Sequence, residues 1–210
     1  MNIIRKKTVS RKKPLQNRSR ERVELILETT EKLISEMPIP DISTSKIAKT
    51  AGIPVGSIYQ YFNDRDAVLL ELGERLIDRE DALLEQVFDM ISTTLPWKLV
   101  VQRVLRAYAE SMRQSDTLYR LDMALAHVEE WIQIHRRSED RMTLFFASYP
   151  AFSDNGLSPE KAQTVARMIV ITATTIILRV QAERDEESVN TLVEEAEKLI
   201  IAYLSLYLKD

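Results

Sequence analysis

Two histidines, His127 and His135, are the only imidazoles in this 210-residue chain, and cysteine is absent altogether. Eight residues apart, the histidines would stand roughly 80° apart around a helix. His127 and Glu130 have the spacing to share a metal, yet no second such pair exists, and the Glu-x-x-His spacing of helical di-iron sites is missing. There is no HExxH motif, phosphate-binding glycine loop or nucleophile elbow. The pattern therefore argues against an enzyme, and no cofactor or metal is expected. Without cysteine there can be no disulfide, thiolate zinc site or cysteine nucleophile, which fits a reducing cytoplasm.

A different chemistry is on offer between Ser43 and Phe62, STSKIAKTAGIPVGSIYQYF, which holds two of the chain's four glycines and three aromatic rings within four positions. Ser43 sits where a helix N-cap should, its hydroxyl able to accept a backbone N–H from the first turn. Ile47 and Ala51 share a face, and Ala48 leaves room for a neighbouring helix. Gly52 follows, where a left-handed residue closes a helix at little cost and Ile53 folds back on it. A second short helix begins soon after, with Ile58 and Phe62 inward. Helix, tight glycine turn and helix make a helix-turn-helix unit.

In such a unit the N-terminal residues of the second helix meet base edges in the DNA major groove. Here they are Val55, Gly56, Ser57 and Gln60. Val55 can meet a thymine methyl, Ser57 can donate or accept, and Gln60 can pair with adenine. Gly56 lets the backbone come close. Tyr59 and Tyr61 can place hydroxyls on phosphate, as can the Arg65 guanidinium. Packing of a small domain is the other use for the two tyrosine rings. Ser43 and Thr44, at the start of the first helix, complete the expected DNA-facing set.

Charge agrees with this reading. Residues 1–65 carry 13 Lys+Arg against 7 Asp+Glu, whereas residues 66–210 carry 16 against 25. Residues 1–22 alone hold nine basic side chains against Glu21. Such asymmetry suits a polyanion partner, and a solvated tail would look the same.

The elements that must position these groups are helical throughout. Residues 1–16 lack periodicity and read as a flexible basic arm. Val23, Ile26, Leu27, Thr30, Leu33 and Ile34 recur at three- and four-residue steps from about Asn17, until Pro38 and Pro40 end the helix. Asn63-Asp64 can cap a long helix, with a break expected near Arg79. Further helices follow from Pro96, from Ser115-Asp116 and over about Val128 to Tyr149, then a loop over Pro150 to Leu157. Ser158-Pro159-Glu160 is a helix start. The β-branched run Ile169 to Ile177 favours strand by propensity, but unbroken helical spacing over 160–183 argues helix. A last helix covers about Ser188 to Leu208. The expected fold is all-α with about nine helices: residues 17–65 as a three-helix DNA-binding domain, and 66–210 as a larger helical domain. The longest uncharged apolar run, Met168 to Leu178, is too short for a bilayer, which needs about 20 residues, so a soluble cytoplasmic protein without a membrane partner is expected.

Ile47-Ala48, Ala51-Gly52-Ile53, Gly56-Ser57-Ile58-Tyr59 and Tyr61-Phe62, followed by Arg65 and Leu69, closely resemble the signature of the TetR family of bacterial transcriptional regulators. Pro54 departs from it where a capping serine is usual, and Arg65 where lysine is. The two-proline connection from Met37 to Ile42 replaces a glycine-containing turn. The resemblance implies a homodimer that sets one helix-turn-helix in each of two successive major grooves of a palindromic double-stranded operator. It also implies a C-terminal domain that binds a small-molecule effector, usually to release repression. Control by a protein partner, or by no ligand, is the alternative.

Within that frame the aromatic and methionine-rich middle helices supply the expected ligand set: Trp97, Tyr108, Met112, Tyr119, Arg120, Met123, His127, Trp131, Phe145 and Tyr149. Residues of these types at this spacing serve equally well as core, and Arg120 as a solvated charge. The last two helices supply the expected dimer face: Ala166, Ile169, Ala173, Ile177, Leu192, Leu199 and Tyr203.

Overall fold

The computed structural model describes residues 17–93, 95–183 and 185–209, so the expected basic arm at 1–16 lies outside the described residues. Among the described residues, ten α-helices and one 3₁₀ turn form two compact units, with no strand. The first unit reaches to Arg75 and takes in Arg120–Ala124; the second comprises Leu76–Tyr119 and the chain from Leu125 onward.

In the first unit, α1 (Asn17–Glu36) buries Val23, Ile26, Leu27, Leu33 and Ile34 along the stripe that the spacing predicts. Thr30 lies in the same stripe, and its hydroxyl donates to the Ile26 carbonyl at 2.7 Å, so its burial leaves no polar group unpaired. Pro38 turns extended, and Ile39–Asp41 form the 3₁₀ turn, with Ile39 and Ile42 buried beneath it. This is how two prolines replace a glycine: their fixed φ makes the corner, and two isoleucines hold it down.

Helix α2 (Thr44–Thr50) starts on Ser43, whose Oγ accepts from the Lys46 amide at 3.2 Å. Its end is a Schellman closure. Gly52 sits at φ +66°, its N–H donates to Lys49, and the Ile53 N–H reaches back to Ala48 at 3.0 Å. Pro54 then runs extended into α3 (Val55–Tyr59), which has no side-chain cap. Ile58 and Phe62 face inward and are buried. Asp64 caps α4 (Arg65–Ile91) through the Ala67 amide at 2.9 Å. That helix is continuous, without the break expected near Arg79, and its first turns bury Val68, Leu69 and Leu72.

The first unit extends into α4 as far as Arg75. Arg75, near the middle of α4, pairs with Glu24 of α1 and with Glu71 at 3.1 Å. Part of α6 (Asp116–Leu125) joins this unit as well. There the Arg120 Nη1 donates at 2.8 Å to the Ile34 carbonyl in the last turn of α1, where helical carbonyls lack partners of their own.

The second unit is organised around α9 (Pro159–Ala182), against which α5 (Trp97–Gln114), α7 (Glu129–Ala147), α8 (Pro150–Asp154) and α10 (Glu186–Leu204) all pack. Ser158 and Asp185 cap α9 and α10 with their side chains. The hydrogen bond from Ser188 holds the Asp185 carboxyl below its usual pKa, as an anion at a helix N-terminus should be. Leu84, Met142 and Val170 form a core cluster over which Val104, Tyr108, Phe145 and Phe146 pack. Three buried carboxylates are each given donors. Ser111 serves Glu80, Ser138 and Arg141 serve Asp81, and Arg106 grips Glu197 with bonds of 2.5 and 3.1 Å.

The extra element relative to the expected nine helices is α8. Pro150 opens it, and Gly156 at φ +79° closes it with a second Schellman pair, Leu157 to Phe152 and Gly156 to Ser153. The proline and the Asn-Gly pair that suggest a loop over this segment are instead the two ends of a short helix.

The two glycines of the helix-turn-helix are separable by substitution. A Cβ at Gly52 would meet nothing within 4 Å but would sit at positive φ, whereas Gly56 has neither crowding nor positive φ. Gly52→Ala should destabilise the chain by about 1–2 kcal/mol, while Gly56→Ala should be neutral or stabilise by up to about 1 kcal/mol. Urea denaturation of both variants checks this, and equal shifts would contradict the left-handed cap as the constraint.

Candidate nucleic-acid interface

Ile58 and Phe62, four residues apart, share the inward face, so most of the side chains around them are left at the surface. Val55, Gly56, Tyr59 and Gln60 are exposed, and Ser57 and Tyr61 are half-buried at the margin. Val55 is 42% exposed, an apolar group in water at the start of a short helix. No Cβ stands over Gly56, so the backbone there is open to close approach.

Helix α2 borders this face. Ser43 is exposed and spends its hydroxyl on the cap. Thr44 is buried, and its Oγ1 lies 3.0 Å from the Tyr59 hydroxyl. Lys46 and Lys49 are exposed on the same short helix. Neither is among the expected contacts, although two lysines three apart just after an N-cap are a readable signal. Arg65 is half-buried, and its guanidinium holds the neighbouring Asp66 carboxylate at 2.7 and 2.9 Å, which partly offsets its charge. Arg18 and Arg20 are exposed at the beginning of α1. The result is a surface of one valine, one glycine, an amide, two tyrosines and several cations, supported by a buried isoleucine and phenylalanine. Such a set offers hydrogen bonds and cationic charge to a polyanion and holds no catalytic constellation.

The expected ligand residues are not brought together as one set. Phe145 and Tyr149 join Phe146 around Phe88, with ring centroids 5.1–5.4 Å from it, and Tyr108 packs on the same core. The Tyr149 hydroxyl donates to the Ser92 carbonyl at 3.3 Å, and burial raises its pKa. Trp97, Met112 and Trp131 are buried elsewhere in the unit. The Trp97 indole N–H donates to the Lys209 carbonyl at 3.1 Å, and Trp131 lies edge-on to His135 at 4.8 Å. Gln181 donates to the Met112 carbonyl at 2.6 Å. Tyr119 is half-buried and His127 exposed. Arg120 and Met123 belong to the first unit, apart from the aromatics of the second. Arg120 caps α1 there, and Met123 is 60% exposed.

The dimer face needs a similar correction. Ala166 and Ile177 are fully buried within their own chain, and Ile169, Ala173 and Tyr203 are half-buried. Leu192 and Leu199 are exposed as expected, and the apolar surface beside them comes from Met168, Ile171 and Leu206. By length and composition alone α9 is apolar enough to cross a bilayer, as the core helix of a globular protein can be. A limit drawn at Arg167 and Arg179 misses this, because the helix continues past both. Its apolarity is shared between an inward face (Val165, Ala166, Val170, Ile177 and Val180) and the outward Met168 and Ile171.

The tetR model of bacterial regulatory proteins matches residues 26–72, and the tetracyclin repressor-like C-terminal domain model matches residues 96–204. The HTH-type transcriptional regulator EthR of Mycobacterium tuberculosis is 42% identical over 60 residues, 29% of this chain and 28% of that protein, so the match spans little more than a quarter of EthR. A TetR-family regulator from Pectobacterium atrosepticum superimposes with a TM-score of 0.73 at 17% identity, covering 94% of this chain and 99% of that one. Another from Streptomyces coelicolor gives 0.60 at 24% identity, covering 89% and 99%. With both halves matched and a surface suited to DNA, the chain belongs to the TetR family of DNA-binding transcriptional regulators.

Proposed function

We propose that the chain is a repressor that binds a palindromic operator as a homodimer and is released by a small-molecule effector, acting in the cytoplasm where its DNA lies. The observation that carries the DNA half is the outward set Val55, Gly56, Tyr59 and Gln60 on α3, with Lys46 and Lys49 beside it. Val55 and Gln60 read bases, while Tyr59, Tyr61, Arg65 and the two lysines hold phosphates. The exposed face of α9 and α10 supports the homodimer. Leu192 is 40% exposed and Leu199 52%, seven residues apart on α10, with Leu206 73% exposed in the turn that follows, and soluble chains rarely leave such apolar surface uncovered. Two such pairs of helices close into a four-helix bundle around a twofold axis, and that axis matches a palindrome.

Release by an effector needs a ligand that binds the DNA-incompetent conformation better than the other. One observation favours the alternative, control by a protein partner or by no ligand. Phe145 and Tyr149, two rings expected to line a cavity, already pack with Phe146 on Phe88. Melting the chain against a metabolite library separates these readings: a rise in Tm that goes with loss of DNA affinity supports an effector, and no rise across the library supports the alternative.

Tyr61→Phe and Arg65→Ala should weaken binding to all duplexes by roughly three- to tenfold, since both act on backbone. Gln60→Ala should instead relax base preference at one operator position, where a good contact is worth about 1–3 kcal/mol. Gel-shift titrations against specific and scrambled duplexes measure both, and wild-type behaviour of all three variants would contradict the assignment. Leu199→Glu should leave the monomer folded, because the side chain is already half in water, but shift sedimentation from dimer to monomer. An unchanged dimer would remove α10 from the interface.

A further inference from the structure

Thr44 opens α2 and Tyr59 closes α3, and their hydroxyl oxygens lie 3.0 Å apart across the helix-turn-helix. Their exposures are opposite: Thr44 is 9% exposed and Tyr59 52%. A threonine that deeply set does not present its oxygen to a passing phosphate, whereas the phenol stands at the surface beside Gln60. Both hydroxyls are donors and acceptors, and the threonine proton rotates to suit its partner. In the free chain either proton can bridge the pair. Beside an anionic oxygen only one arrangement serves: Tyr59 turns its proton outward, and Thr44 gives its own to the phenolic oxygen. Each bond then polarises the other, so the outward donor is strengthened by the one behind it.

We propose that Thr44 is a positioning residue that acts through Tyr59, fixing the phenol and donating to it while the phenol donates to a DNA phosphate. Thr44 itself does not touch DNA. This rests on the DNA-binding role of the α3 face. It replaces the sequence expectation of a direct Thr44 contact, and it assigns the buried hydroxyl a function that packing alone does not require. Because neither group is charged, neither releases counterions, and the salt dependence of binding should not change when the pair is broken.

The test uses the full-length chain and a duplex enriched by it from a random-sequence pool, with a mixed-sequence duplex at low salt as companion. Tyr59→Phe should weaken binding about tenfold, the size of a lost hydrogen bond to a charged acceptor. Thr44→Val, which keeps shape and removes the donor, should lose a comparable factor, and Thr44→Ser should restore affinity to within about twofold. The double variant Thr44→Val/Tyr59→Phe should bind no worse than Tyr59→Phe alone, because both changes break one chain of bonds. A set of duplexes carrying single methylphosphonates gives a readout that a purely structural role would not move. The neutral position to which wild type is sensitive should become silent in both Tyr59→Phe and Thr44→Val, with the salt slope unchanged. Thermal melts confirm that each variant is folded, and Thr44→Ala serves in place of Thr44→Val if the latter is not. Wild-type affinity in the folded Thr44 variants, or losses that multiply in the double variant, would overturn the proposal. Failure of the wild type to bind any duplex at low salt would overturn it together with the DNA-binding role of the face.

Discussion

One left-handed residue governs the DNA-facing part of this chain. At Gly52 the backbone reverses out of α2, the Gly52 and Ile53 amides return to the Lys49 and Ala48 carbonyls, and α3 leaves at an angle set by those two bonds and by Pro54. Only glycine takes that φ without strain. Once the angle is set, Ile58 and Phe62 must bury, and the remaining positions of α3 must face water. The surface chemistry of Val55, Gly56, Tyr59 and Gln60 is therefore a consequence of a turn they do not belong to. A helix of five residues has little stability of its own, so the cap, the two buried side chains and the Thr44–Tyr59 bond are what hold it.

The second unit solves a different problem. It must bury the apolar face of α9, formed by Val165, Ala166, Val170, Ile177 and Val180. Small residues at Ala162 and Ala166 sit fully in the packing against neighbouring helices, and the larger Met168 and Ile171 are left outside. Within the same unit, buried carboxylates at Glu80, Asp81 and Glu197 are each met by a hydroxyl or a guanidinium rather than left alone, since a buried unpaired charge is costly. The outer apolar side chains Met168, Ile171, Leu192 and Leu199 of α9 and α10 are left in water, and they are the surface on which the proposed dimer rests.

Signals that act over three or four residues are legible in the chain's own order of side chains. Ser43, Asp64 and Ser158 cap where their types predict, Gly52 turns as expected, and the β-branched run in α9 is helical because its spacing outweighs its propensity. Signals that depend on distant partners are not legible there. Nothing local tells Ala166 from Met168, two apolar residues either side of Arg167, and only packing against α5, α7 and α10 decides which is inside. Arg120 reads as a free cation until the end of α1 is brought to it. Aromatics at helical spacing look alike whether they line a cavity or fill it, and here Phe145 and Tyr149 meet Phe88. Pro150 and Asn155-Gly156 mark turns correctly, yet a five-residue helix fits between them.

The central claim is that the face built on Gly52 reads a twofold-symmetric DNA sequence, and selection of bound molecules from a random duplex pool tests it most directly. Enrichment of a palindrome with half-sites about one helical turn apart is the predicted result. A pool that stays random through successive rounds at low salt would contradict it, and would shift attention to the helical domain as the part that carries the protein's function.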